Sequence, residues 1–165
     1  MEEFAVLQVL AMYVRAADYR DGAAMAALFL LDGRLVMARN VAGRASPFAT
    51  LEGREAIADA VAHLMQPHPP RGWSHHTTHD AIVVVDGERA TIDAQLIVFN
   101  SLGTAEPVGG WLVGTIGLQG SVTPIESGYY RPELRCVDGR WLIETMTILL
   151  DQTMPVPKQG VLDSA

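Results

Sequence analysis

The run HHTTHDAIVVVDGERATIDAQLIVFN, His75 to Asn100, decides the fold. Its first half crowds the β-branched residues Thr77, Thr78, Ile82, Val83, Val84 and Val85 before Asp86-Gly87, a dipeptide suited to a tight reversal because glycine adopts positive φ without steric cost. From Ala90 onward the side chains alternate. Ile92, Ala94, Leu96 and Val98 share one face, Asn100 ends that row, and Asp93 and Gln95 lie opposite. The segment is therefore expected to form a hairpin of two long antiparallel strands.

Towards the N-terminus the period changes. Phe4, Leu7, Ala11 and Val14 follow steps of three and four, which predicts a helix from Glu2 to Tyr19, and the next position in the series is Asp18. Asp21-Gly22 reads as a break and N-cap, opening a short helix through Ala23, Met25, Ala26, Phe29 and Leu30. Arg34 to Asn40 reads as a first strand. Gly53 to Met65 reads as a third helix with Ile57, Val61 and Leu64 inward, ended by Pro67-His68-Pro69-Pro70.

Beyond the hairpin, strands are expected around Trp111 to Leu118, from Tyr129 to Val137, and, after a turn at Asp138-Gly139, from Trp141 to Leu150. Tyr130, Pro132, Leu134 and Cys136 form the less polar face of the second, so Tyr130 is expected to point inward. Helices followed by strands imply an α+β fold, a curved antiparallel sheet with its concave face on three helices. Ile82 to Val85 and Leu142 to Leu150 are apolar on both faces, as if covered by helices on one side and by another subunit on the other.

The length of 165 residues suits one domain, assigned to 1–153, with a loose tail over 154–165 containing Pro, Lys, Gln and Gly. With 49% hydrophobic residues a core forms without disulfides. A net charge of -7 has the wrong sign for a phosphate-binding surface, so no nucleic-acid partner is expected. No apolar stretch reaches the roughly 20 residues needed to span a bilayer, so no membrane partner is expected either. The start MEEF lacks a secretory signal and Cys136 is the single cysteine, which together fit a reducing cytoplasm.

Asp18 is the sharpest chemical signal. A carboxylate continuing an apolar stripe either faces the core, where it needs a partner, or sits at the helix end and caps the next turn. Tyr13, five residues earlier, lies about 140° around the helix, at a pocket edge or in simple packing. The histidine cluster His75, His76 and His79 invites a metal. In a strand, however, His75 and His79 stand roughly 13 Å apart, too far for joint ligation, and no cysteine pairs or HExxH pattern add ligands, so no metal is expected. A better use is one histidine paired with Asp18, which fixes its tautomer and leaves the other nitrogen free for proton transfer. No Gly-rich phosphate loop or GxSxG elbow is present. Cys136, inside a strand without a neighbouring base, reads as an inert thiol.

Four pieces in order carry a resemblance: Tyr13-Val-Arg-Ala-Ala-Asp18-Tyr-Arg-Asp21-Gly to Phe29; Leu51-Glu-Gly-Arg-Glu-Ala-Ile57; the His75 to His79 cluster before Val-Val-Asp86-Gly; and Gly128-Tyr-Tyr130 before Arg135-Cys-Val-Asp138-Gly-Arg-Trp141. Together they resemble the SnoaL-like branch of the nuclear transport factor 2-like superfamily, over nearly the whole chain. The resemblance implies a cone-shaped cystatin-like fold with a pocket in its mouth and assembly as a homodimer or homotrimer through the sheet. It also implies a small hydrophobic molecule as ligand and no cofactor. By likeness to scytalone dehydratase and lindane dehydrochlorinase, His75 is the expected general base and Asp18 its orienter. A one-residue change in the turn would favour His76 instead. Tyr13, His79, Asn100 and Tyr130 are the expected substrate contacts. Asn100 stands where scytalone dehydratase has a second histidine, and Tyr130 where it has a pocket asparagine. The implied activity is a dehydratase, cyclase or isomerase acting on a hydrophobic carbonyl compound. The competing readings are a non-catalytic binding module and a hydrolase of epoxide type, the latter requiring an Arg-Asp pair that the sequence does not place.

Overall fold

The computed structural model describes residues 2–117 and 119–152; the expected tail over 154–165 lies outside them. Elements follow the order α1 (Glu2–Tyr19), α2 (Gly22–Ala26), β1 (Phe29–Val41), β2 (Arg44–Glu52), α3 (Arg54–Asp59) with a π-type turn (Ala60–Leu64), β3 (Gly72–Asp86), β4 (Arg89–Gly103), β5 (Gly120–Val137) and β6 (Arg140–Leu150). The six strands form one sheet in the order β2-β1-β6-β5-β4-β3. Neighbours are antiparallel except β1 and β6, which run parallel. Register shifts in these pairings mark bulges, which bend strands and increase twist, and the inner face wraps α1. This is the α+β cone, with Val6, Leu10, Met25, Phe29, Ile57, Ile92, Leu96, Leu134 and Met146 in its core.

The long hairpin forms as expected, with Asp86 opposite Arg89 and Gly87 at φ 59. Asp138 and Gly139 both take positive φ, the requirement of a type I′ turn. Asp21 caps α2, its Oδ1 accepting from the Ala24 amide at 2.9 Å.

Four expectations change. The buried stripe of α1 is Val6, Val9, Leu10, Tyr13, Val14, Ala16, Ala17 and Asp18, while Phe4 is exposed: the sheet meets the helix about one residue around from the assumed face. Phe29 and Leu30 open β1 rather than closing α2, where Phe29 buries a ring worth about 1.5–3 kcal/mol of transfer free energy. Ile57 and Val61 point inward but Leu64 is 70% exposed. Met65 donates its amide to Ala60, five residues back, and this wider turn rotates Leu64 off the 3.6-residue stripe. No strand forms over 111–117, where Gly109, Gly110, Gly114 and Gly117 hold positive φ incompatible with extended chain. Instead β5 begins at Gly120. The unexpected strand β2 carries Pro47, tolerated because β2 is an edge of the sheet.

Candidate active site

Asp18 reaches the interior because of how α1 ends. Arg20 adopts φ 56, its amide donates to the Ala17 carbonyl, and the Asp21 amide donates to Ala16 at 2.9 Å, a Schellman closure that satisfies the last carbonyls. Left-handed backbone costs an arginine roughly 1–2 kcal/mol. Its guanidinium offsets this by donating to the carbonyls of Ala17 at 2.6 Å and Gln66 at 3.1 Å and to Ser74 Oγ at 3.1 Å, tying the helix end to β3 and to the Pro-rich connection.

The Asp18 side chain is 3% exposed by residue and accepts two hydrogen bonds on Oδ1, from the His76 backbone amide at 2.9 Å and from His76 Nδ1 at 2.7 Å. His75 Nδ1 lies 3.7 Å from Oδ2. Burial pushes the carboxyl up, but the two His76 hydrogen bonds and the neighbouring imidazoles outweigh it, and Asp18 is held below its ordinary value. A carboxylate only accepts, so the proton of a neutral His76 sits on Nδ1 and its Nε2 carries the lone pair. The His76 side chain is 11% exposed, that of His75 48%.

The reason that His76 rather than His75 makes the hydrogen bond is a bulge. Val83 pairs with Ile92 and Ile82 with Asp93, but beyond Asp80, at φ 50, the register resumes one residue out, with His79 opposite Gln95 and His76 opposite Val98. The inserted residue exchanges the faces. Inward positions are odd near the turn and even at the cluster, so Ser74, His76 and Thr78 point in, and counting back from Asp86-Gly87 by strict alternation lands on the outward-facing His75. His79 shares the outer face with His75 and pairs with Asp80 at 3.0 Å, away from Asp18 and His76.

Behind His76 the inner face runs across the sheet in register. His76 pairs with Val98 and Val98 with Glu126. Burial pushes the Glu126 carboxyl up and the His76 ring pulls it partly back. Tyr13 of α1 and Tyr130 of β5 meet edge to face, ring centroids 5.3 Å apart, both fully buried. Burial, reinforced by the Glu126 charge, raises the Tyr13 phenol well above its ordinary value; burial together with Tyr13, Glu126 and Asp18 does the same to Tyr130. The interior thus holds one imidazole, two carboxyls and two phenols that keep their protons. Asn100 lies opposite Ser74 on the same face, nearer the strand end.

Sequence reasoning did not find Glu126, Arg20, Ser74 or His68. His68 Nδ1 accepts from the Ser74 amide at 3.2 Å, which leaves the proton on Nε2 to donate to the Asp18 carbonyl at 2.8 Å, and the ring stacks on Trp73 at 3.9 Å. A histidine set among prolines beside the cluster was its only signal. An Arg-Asp pair does form, Arg131 Nε to Asp93 Oδ2 at 3.0 Å, but on the face opposite Ala94 and Tyr130, so it does not serve the interior. Surface hollows lie along α1 and α2, by Met12, Arg15 and Tyr19, and at the open end of β3, β4 and β5, by Trp73, Leu102 and Val122. Neither includes Asp18 or His76. No helix among the described residues is long and apolar enough to cross a membrane.

The SnoaL-like domain family matches residues 2–147. Among solved structures the chain is similar to a candidate scytalone dehydratase of Novosphingobium aromaticivorans, at TM-score 0.65 and 16% identity, over 99% of this chain and 95% of that one. A nuclear transport factor 2-like protein with a cystatin-like fold from the same organism aligns at TM-score 0.61 and 23% identity, over 90% and 80%. The beta subunit of a candidate aromatic-ring-hydroxylating dioxygenase, again from that organism, aligns at TM-score 0.67 and 16% identity, over 93% and 91%. At these identities the likeness is one of fold. No match is found among curated proteins.

Proposed function

The chain belongs to the SnoaL-like domain family, and from that premise we propose that it is a cofactor-independent lyase or isomerase that removes a proton alpha to the carbonyl of a hydrophobic compound. The observation that carries this reading is the 2.7 Å contact between Asp18 Oδ1 and His76 Nδ1, buried and aimed so that Nε2 is the unprotonated ring nitrogen. His76 is the base. Asp18 holds its tautomer and stabilises the imidazolium that forms, while Tyr13 and Tyr130, kept protonated, donate to the developing enolate oxygen. Asn100 is a polar contact towards the rim. His75, half exposed on the other face, is not the base in this reading.

Elimination, ring closure by aldol addition or double-bond migration all begin with this step. The same reading places the protein in the cytoplasm as a dimer or trimer through the outer sheet face, where Ile82 and Val84 are 68% and 57% exposed. The test is exchange of alpha protons for solvent deuterium in aromatic ketones such as 2-tetralone, followed by proton NMR. His76→Asn and Asp18→Asn are each expected to slow exchange by about 10²–10⁴-fold with the fold retained by circular dichroism. Ketone binding without exchange in the unaltered protein would move the assignment to a non-catalytic binding module.

A further inference from the structure

Among the described residues Glu126 is the interior carboxyl that the Asp18–His76 pair does not use. Three features set it apart. It sits on β5 in register with Val98 and His76, on the face that also presents Tyr130, so its carboxyl and the base lie on one wall with a single valine between their strands. It is partly buried, and unlike Asp93, Asp151 and Glu144 it is matched by no salt bridge or side-chain hydrogen bond among the described residues. An ionised Glu126 would raise the phenols of Tyr13 and Tyr130, and the His76 ring acts on Glu126 in turn, so the carboxyl is coupled to the same interior groups that the register brings to this face. Burial outweighs the pull of the His76 ring, so this carboxyl keeps a proton more readily than an ordinary glutamate.

We propose that Glu126 is a further catalytic residue, the proton donor to a leaving oxygen beta to the carbonyl where the reaction begun by proton removal proceeds by elimination. This rests on the reading of His76 as the base. His76 Nε2 takes the alpha proton, and the electron pair of that C–H bond moves to the carbonyl oxygen, which the phenols of Tyr13 and Tyr130 hold as an enolate. The enolate then re-forms its carbonyl and expels the beta oxygen. As that C–O bond breaks, the Glu126 carboxyl gives its proton to the departing hydroxyl, and water leaves with the conjugated enone. The enzyme is left with His76 protonated and Glu126 ionised, one proton displaced between two groups on one wall, and its return through solvent restores the resting state. No oxidant, reductant or further reactant is required. Division of labour follows from the two environments: the imidazole that is held by a carboxylate accepts, and the partly buried carboxyl without a hydrogen-bonded side-chain partner among the described residues donates.

The test measures two rates on the full chain with Glu126→Gln: deuterium exchange into 2-tetralone, which needs only the base, and dehydration of 4-hydroxy-2-tetralone, whose enone product tautomerises to 2-naphthol and is followed by the ultraviolet absorption of that naphthol. Gln keeps the shape and the hydrogen bonding but cannot give up a proton. The expected result is a loss of about 10²-fold or more in dehydration with less than a tenfold loss in exchange. Equal losses in both rates, or none in dehydration, overturn the proposal while leaving His76 as base. An unaltered protein inert in both assays overturns the reading of His76 and this proposal together. A carbon-13 titration of the Glu126 carboxyl in the free protein serves as the second arm; a midpoint at or below the usual value of about 4.3 overturns the proposal without any substrate.

Discussion

Replacing Asp18 by Asn removes a charge while keeping the size of the side chain, and the structure sets the cost. Asp18 Oδ1 accepts two hydrogen bonds, at 2.9 and 2.7 Å, both from His76. A hydrogen bond to a charged group contributes about 1.5–3 kcal/mol and a neutral one about 0.5–1.5, so the exchange forfeits about 1 kcal/mol per bond and about 2 in all. Part of this returns because a buried carboxylate no longer has to be desolvated, leaving a net loss of about 1–2 kcal/mol, or roughly 2–8 °C in Tm for a domain of this size. The sign with pH is fixed by the direction of the shift. Asp18 is held below its ordinary value in the folded protein. Its contribution is therefore complete above about pH 4 and is lost as the pH falls through the folded value. Thermal melts of both proteins from neutral pH downward, as far as each stays folded, should show the gap narrowing on acidification. Equal melting temperatures at neutral pH, or a gap that persists unchanged in acid, would refute the reasoning.

Three further outcomes follow from the same geometry. Because burial raises the Glu126 carboxyl, its stabilising protonated form is lost as the pH rises through and above the usual glutamate value, so Glu126→Gln should melt higher than the unaltered protein near pH 7 and match it near about pH 4; a lower Tm at both would contradict the burial. A Cβ on Gly128 would collide with the Leu149 carbonyl oxygen, so Gly128→Ala should cost about 1–3 kcal/mol or more in urea unfolding, and a neutral effect would mean that β5 and β6 are spaced more widely. Arg20→Ala and Arg20→Gly lose the same side-chain bonds, but only Gly takes φ 56 freely, so the Ala variant should be the less stable by about 1 kcal/mol.

How far the sequence carried can be argued from individual residues. The β3–β4 hairpin and Asp18 were legible because alternation, helical period and a misplaced carboxylate are local signals. The identity of the hydrogen-bonding histidine was not. It depends on a bulge at Asp80, a residue whose type does not announce an extra position, and one such residue exchanges every face beyond it. Glu126 was hidden in the stretch between the strands expected around Trp111 to Leu118 and from Tyr129, since Ser121 to Ser127 has no apolar alternation; its strand is held by pairing with β4. Strand β2 escaped because Pro47 argues against a strand anywhere except at an edge, and edge position is a property of the assembled sheet. Both interior phenols were named from the sequence, Tyr130 as inward from strand parity and Tyr13 as either a pocket edge or simple packing, and the buried stripe of α1 includes Tyr13.

The central claim is that His76, oriented by Asp18, takes the proton. It is tested most directly by comparing His76→Asn and His75→Asn in the ketone deuterium-exchange assay, both checked for fold by circular dichroism. The account expects His76→Asn to lose about 10²-fold or more while His75→Asn keeps most of its rate. Loss confined to His75→Asn, with His76→Asn active, would contradict it.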